Sequence, residues 1–308
     1  DTNGHFVIVF NGEIYNYLEL FKKLSSKGYE FHSKTDTEVI LAAYSEWGVG
    51  CVSFLNGMFA FAIYDSIKNT VFVSRDRAGE KPLFYCYNNG IFQFSSELKA
   101  LLSINSSPKK INTDSLDCFL SMGFVPGERC IVEGFNKLPA ASSLVFDLHS
   151  KEIKIWKYWE VPENDFISPN KGIELDLLDE LENLLENSVR RQMVADVPVG
   201  ILLSGGIDSS LITAMAVRNK EHVKTFTIRF PGSGKLDETK HARMISKYFN
   251  TEHIELEAQP ASVDLLTKLA YQFDEPIVDS SMIPTFLVSQ LVQQHCKVVL
   301  GGDGGDEL

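Results

Sequence analysis

Two rhythms of apolar and polar positions divide the chain. Up to about residue 100 the apolar residues come in short alternating or continuous runs bounded by turn residues, which is the pattern of strands. His5 to Phe10 reads as the first strand and leads into Asn11-Gly12. Tyr17 to Lys27 carries Leu18, Leu20, Phe21 and Leu24 at helical spacing and stops at Gly28, so a helix is predicted there, with a second from about Thr37 to Trp47. Met58 to Tyr64 is apolar on both faces, and a strand of that kind must be covered on both sides. Val71 to Ser74 follows a short polar turn. Leu83 to Tyr87 and Ile91 to Ser95 flank Asn88-Asn89-Gly90, a hairpin signal, because Asn-Gly supplies the positive φ of a tight turn. These elements predict an α+β sandwich of two stacked antiparallel sheets with helices outside.

From residue 101 to 170 the regularity fades. Pro108, Pro126, Pro139, Pro162 and Pro169 punctuate the stretch, and one further hairpin is expected from Ser143 to Trp159. After Glu174 a helical rhythm begins, with Leu178, Leu181, Leu185 and Val189 on one face. Val199 to Leu203 is a short buried strand, and helix and strand then alternate: Ser209 to Arg218, Val223 to Ile228, Glu238 to Phe249 and His253 to Leu256. Helices at about 262–273 and 284–294 precede a last strand, Lys297 to Leu300. Alternation of this kind predicts an α/β doubly wound parallel sheet. The chain thus divides into residues 1–105, a connector with a hairpin over 106–170, and residues 171–308.

Composition narrows the function classes. With 29 Lys plus Arg against 41 Asp plus Glu, the formal net charge is -12 and no basic run stands out, which argues against a nucleic-acid partner. No apolar run approaches 18 residues, so no membrane span is expected. The opening Asp-Thr-Asn-Gly-His has neither an initiator Met nor a signal-peptide pattern, so the chain is expected to begin inside a domain. The five cysteines are odd in number and form no C-x-x-C pair; a reducing cytosol and a cytoplasmic location are expected, with the thiols acting as small buried hydrophobes.

Two glycine-bearing loops carry the candidate chemistry. Ser204-Gly205-Gly206-Ile207-Asp208-Ser209 falls between an apolar strand and a helix. In an open α/β sheet a ligand sits beyond the carboxyl ends of the strands, where a helix N-terminus offers free N–H groups and the positive end of its dipole to an anion. Two glycines let the backbone approach phosphate oxygens, the serines add donors, and Asp208 is placed to hold Mg2+. A glycine turn with a capping Asp or Ser is the plainer alternative. Gly301 to Glu307 follows the last strand with four glycines and three carboxylates, suited to metal coordination and to accepting a proton from an attacking amine; a solvated acidic turn is the alternative there.

Together these loops resemble the ATP pyrophosphatase domain of asparagine synthetases, with signatures S-G-G-x-D-S and G-[DE]-G-x-D-E. Asp196 to Leu203, Asp237-Glu238 and Asp274-Glu275-Pro276 also look like family positions. The resemblance implies ATP binding by Leu202, Ser204, Gly205, Gly206, Asp208 and Ser209, Mg2+ binding by Asp208 and Asp306, and a role for Asp303 in handling ammonia. Asn11 to Asn16 resembles the N-G-E-I-Y-N segment of the family's Ntn-type glutamine amidotransferase domain, and Thr35 to Glu38, Gly57 to Phe61 and Arg75 to Gly79 match in order. That implies an oxyanion site at Asn11 and Gly12 and pairing of Glu13 and Asp36 with the ammonium of glutamine. An N-terminal cysteine nucleophile and an arginine are expected before Asp1, and a lysine after Leu308. The implied reaction takes glutamine, aspartate and ATP to asparagine through β-aspartyl-AMP; a homodimer is compatible with it. Relatives that act on another carboxylate, and a non-catalytic binding remnant, are the rival readings.

Overall fold

The computed structural model describes residues 4–105, 109–162, 171–229, 237–258 and 263–304. Two compact units emerge: one holds residues 1–164 together with 270–278, the other residues 165–269 and 279–308.

In the first unit, β1 (Phe6–Ile14) is followed by helices α1 (Tyr17–Ser25) and α2 (Asp36–Trp47). Strands β2 (Gly57–Asp65), β3 (Thr70–Arg75), β4 (Phe84–Asn88) and β5 (Ile91–Ser95) come next, then helices α3 (Leu98–Ile104) and α4 (Thr113–Met122), and strands β6 (Asn136–Lys137), β7 (Ser142–Asp147) and β8 (Ile153–Lys157). One antiparallel sheet has the order β1-β2-β3-β7-β8 and a second the order β5-β4-β6. β2 shows why they stack. Its residues alternate between faces, and Phe59, Phe61 and Ile63 join a buried cluster with Leu20 and Leu24 of α1 and Val39, Ile40 and Ala43 of α2. Ala60 and Ala62 point the other way, into a cluster with Leu83 and Tyr85 beside and on β4 and Leu144 and Phe146 on β7. Small residues there let the sheets close on each other, while rings fill the space under the helices. On the outer side of the second sheet, Phe84 and Cys86 pack on Leu98 and Leu101 of α3. The layers therefore run helix, sheet, sheet, helix, as the α+β sandwich expected from the pattern.

Two details differ from the pattern. β1 does not stop at Phe10 but runs on through Asn11 and Gly12, paired with Ala60 and Phe59, to Ile14. Residues 98–122, where the sequence shows no clear period, carry α3 and α4. Helix α4 is capped locally, by Asn112 Oδ1 accepting the Ser115 N–H at 3.0 Å.

The second unit contains α5 (Lys171–Gln192), β9 (Val199–Leu202), α6 (Ile207–Asn219), β10 (Lys224–Arg229), α7 (Thr239–Phe249), β11 (Glu252–Glu257), α8 (Val263–Gln272, whose last residues fall in the first unit), α9 (Met282–Val292) and β12 (Val298–Leu300). Its four strands are parallel, in the order β11-β10-β9-β12. Val189 of α5, Met193 just beyond its end, and Met215 and Ala216 of α6 pack around Ile201, whereas Phe226 packs with Val292 at the end of α9 and with Cys296, so helices cover both faces. Gly200 makes room for this core: a Cβ there would lie 2.4 Å from the Phe226 ring. Of the leucines expected on one face of α5, Leu178 and Leu181 are exposed and only the end nearer Val189 is packed. All five cysteines are free thiols; burial raises Cys51 and Cys130 to about 12. Among the described residues no helix is long and apolar enough to cross a membrane.

Candidate functional site

In the second unit the strand order reverses at β9: β10 and β11 lie to one side and β12 to the other, so the loops after β9 and β12 open at the switch point of the sheet. Leu202 ends β9 in register with Phe226, and the Leu203 N–H donates to the Phe226 carbonyl at 2.8 Å, which fixes where the loop departs. Gly205 then takes φ +88, and a Cβ on it would lie 2.6 Å from His241 Cβ and 2.7 Å from the Ala242 nitrogen. Glycine is needed there for the turn and for the close approach to α7. Ser204 and Ser209 Oγ are 3.0 Å apart, the Gly206 N–H donates to Ser204 Oγ at 3.2 Å, and the Ser204 N–H donates to Ser209 Oγ at 3.3 Å. The serines thus hold the loop in shape.

Gly206 is the N-cap of α6, and no side chain caps the helix. Among the described residues no side chain caps the Ile207, Asp208 or Ser209 amides, while Ser204 Oγ accepts the Gly206 N–H. The Asp208 carboxylate has no hydrogen bond or ion pair among the described residues. The second loop meets the first here. A Cβ on Gly302 would lie 2.8 Å from the Ser209 nitrogen and 2.9 Å from Asp208 Cβ, so the two backbones touch across 93 residues of sequence separation between Gly302 and Ser209. Asp303 is in the same turn, its Oδ2 2.8 Å from where a Gly301 Cβ would be. Asp306 and Glu307 lie outside the described residues. Asp237, at the foot of α7, accepts the Thr239 hydroxyl and, at 3.0 Å, the Thr239 N–H; these bonds, then Arg229 and Arg243, hold its carboxyl below the usual range.

In the first unit Asn11, Gly12 and Glu13 are consecutive on β1, and Asp36 is brought to them: its Oδ2 accepts the Ile14 N–H at 3.0 Å. The Thr35 to Glu38 segment divides its work, because Thr35 Oγ1 accepts the Glu38 N–H as the cap of α2 while Glu38 accepts the amides of His32 and Ser33. Gly12 is pressed against β2; a Cβ would lie 2.2 Å from the Met58 carbonyl oxygen. Asn11 Nδ2 donates to Ser96 Oγ at 3.1 Å. Burial, followed by the charges of Glu80, Glu13 and Asp76, pushes Tyr15 up to about 12, so it stays a neutral phenol beside the carboxylates. Burial and then Asp76 also raise Glu80 above the ordinary carboxyl range.

The Arg75 to Gly79 segment, which matches the family in sequence, carries residues that support this site. Asp76 is fully buried and accepts the N–H groups of Phe59, Glu80 and Lys81 at 3.1, 2.8 and 3.0 Å. Arg75 donates to the carbonyls of Lys81, Leu138 and Gly79 at 2.7, 2.8 and 2.6 Å. Phe59 is the register partner of Gly12, so this buried pair shapes the strand against which Gly12 lies. The resemblance at Arg75 to Gly79 pointed to the segment in sequence, without these buried contacts. Ser96 and His241 carry no such signal.

The architecture defines a two-part protein: a helix-flanked antiparallel sandwich joined to a doubly wound sheet with an open glycine loop at its switch point. Residues 1–159 match the glutamine amidotransferase domain family and residues 180–308 the asparagine synthase family. A glutamine-hydrolysing asparagine synthetase homologue from Methanocaldococcus jannaschii is 40% identical over 305 residues, covering 98% of this chain and 58% of that protein. Asparagine synthetase (glutamine-hydrolyzing) 1 of Bacillus subtilis is 34% identical over 302 residues, covering 98% of this chain and 47% of that protein. The chain belongs to the glutamine-hydrolysing asparagine synthetase family, and it spans about half the length of the curated relatives it matches. Among solved structures, glutamine phosphoribosylpyrophosphate amidotransferase from B. subtilis with ADP and GMP aligns at 14% identity and a TM-score of 0.37, covering 87% of this chain and 51% of that one.

Proposed function

We propose that the protein converts aspartate to asparagine at the expense of ATP, using ammonia released from glutamine. The observation that carries the reading is the contact of the two glycine loops at the switch point, where a helix N-terminus without a side-chain cap faces the Asp303 turn. The family membership supplies the substrates.

On this reading the first-turn amides of α6 and the Ser204–Ser209 loop hold the phosphates of ATP, and the backbone at Leu202 contacts the adenosine. The aspartate β-carboxylate attacks the α-phosphorus, the α,β-phosphoanhydride bond breaks, and pyrophosphate leaves; a carboxylate oxygen is a poor leaving group until it departs as AMP. Asp208, whose carboxylate has no described partner next to that loop, and Asp306 would hold a divalent cation on this reading. When bound, Mg2+ would neutralise the charge of the departing pyrophosphate. Ammonia then attacks the acyl carbon, Asp303 accepts its proton, and AMP leaves. In the first unit Asn11 Nδ2–H and the Gly12 N–H stabilise the oxyanion formed as glutamine is hydrolysed, while Glu13 and Asp36 hold its ammonium group.

The test uses the full-length protein. Asp208→Ala is expected to abolish pyrophosphate release and leave glutamine hydrolysis largely intact. Asp303→Asn is expected to keep exchange of labelled pyrophosphate into ATP while losing asparagine formation. Unchanged pyrophosphate release in the first variant would sink the nucleotide assignment; loss of exchange in the second would remove the separate role of Asp303.

A further inference from the structure

The Asp274-Glu275-Pro276 segment takes no part in the chemistry proposed above, yet it makes some of the longest-range polar contacts in the first unit. Asp274 Oδ2 accepts the Leu98 N–H at 2.7 Å and Oδ1 accepts the Lys99 N–H at 3.2 Å, and Lys99 Nζ lies 3.1 Å from Oδ1. These are first-turn amides of α3, whose own N-cap residue, Glu97, makes no side-chain cap. Asp274 therefore caps α3 from 176 residues away in sequence. Glu275 holds the segment from its other carboxylate, accepting the Ile131 N–H at 2.7 Å and Lys137 Nζ at 2.6 Å.

The capped turn leads directly to the glutamine-site strand. Ser95 Oγ accepts the Glu97 N–H at 3.2 Å, which ties the turn that enters α3, and Ser96 Oγ in that turn accepts Asn11 Nδ2 at 3.1 Å. Asn11 sits near the exposed face of β1, so few packed atoms restrict its carboxamide, and the bond to Ser96 orients it. A cavity of about 380 Å3 lined by Ser96, Glu97, Phe84, Lys137 and Asp274 lies beside the turn. Without the carboxylate cap the turn has room to shift into it.

We infer that Asp274 is a positioning residue for glutamine hydrolysis: by capping α3 it fixes Ser96, and through Ser96 it aims the Asn11 N–H at the oxyanion. The inference rests on the assignment of Asn11 given above. A carboxamide at position 274 accepts only at its oxygen and presents an NH2 to the second amide, so Asp274→Asn loosens the turn with little change in volume.

The experiment measures kcat and KM for glutamine hydrolysis in the full-length protein carrying Asp274→Asn, Ser96→Ala or both, with asparagine formation from free ammonia as the control. A loss of kcat of about tenfold is expected in each single variant, since small misplacements of a donor cost that order of rate. KM and the ammonia-dependent reaction should stay within about twofold, since the substrate-binding carboxylates are not touched. The double variant should be no slower than Ser96→Ala, because both residues act through Asn11. Unchanged kcat in Asp274→Asn, losses that multiply in the double variant, or a rise in KM instead would each overturn the inference. Asn11→Ala separates the two levels: if it keeps full kcat, the oxyanion assignment fails and this inference with it, whereas a kcat loss confined to Asn11→Ala removes only the role of Asp274.

Discussion

Gly12 and Gly206 mark the two ends of the proposed chemistry, and they are held in opposite ways. Gly12 is inside a paired strand, with a neighbouring carbonyl oxygen 2.2 Å from where a Cβ would be. Gly206 stands at the start of a helix, where among the described residues a Cβ would meet only the Ser204 hydroxyl, at 3.3 Å. On the proposed reading the Gly12 amide is fixed by the paired sheet, whereas the Asn11 donor is aimed by its bond to Ser96. The second, on the same reading, rests on first-turn amides that have no side-chain cap among the described residues, so a bound phosphate would complete it. One contact cuts across the difference: Gly205, next to Gly206, is pinned against α7 by His241.

Adding one methyl group at each position breaks or sharpens that contrast. Gly12→Ala should have the largest effect, a loss of about 3 kcal/mol or more in denaturant unfolding together with loss of glutamine hydrolysis, because the obstructing atom is backbone of a paired strand. A cost below about 1 kcal/mol would mean the strands can part, and the rigid-site description would be wrong. Gly205→Ala should cost about 2 kcal/mol, from a left-handed φ and the contact with α7, and should raise the KM for ATP. An unaltered KM with the stability loss would separate the packing of the loop from its proposed ligand. Gly206→Ala should cost under about 1 kcal/mol, the ordinary difference between glycine and alanine at an N-cap. Equal effects at positions 12 and 206 would erase the comparison.

The strands, most helices and both glycine loops were legible in the sequence because their signals are local. Met58 to Tyr64 demanded cover on both faces, and the structure provides helices on one and a sheet on the other. Alternating strand and helix after residue 199 gave the parallel sheet, and its order placed the two loops together. What could not be read depends on distant partners. Helix α3 has seven residues and borrows its cap from Asp274, so nothing adjacent announces it. Asp76 and Arg75 look like a surface pair until Phe59 and Leu138 fold over them. The first strand was expected to stop at Phe10, and only pairing with β2 carries it on to Ile14. Leu178 and Leu181 have the spacing of a packed face but are exposed, because periodicity shows which residues share a face and not whether anything covers it.

The borrowed cap also has a consequence for how the protein is made. A chain leaves the ribosome N-terminus first, at about 5–20 residues per second, and domains that are continuous in sequence can fold as they emerge. The first unit is not continuous: its last piece is residues 270–278. Until that piece is synthesised, the Leu98 and Lys99 amides and the Lys137 ammonium lack the carboxylates that satisfy them. The cap of α3 therefore becomes available only after about a hundred further residues are added, roughly 5–20 seconds at that rate. The apolar sheet faces of the sandwich can pair early, but the closing of α3 is a late event, timed by the position of Asp274 in the sequence.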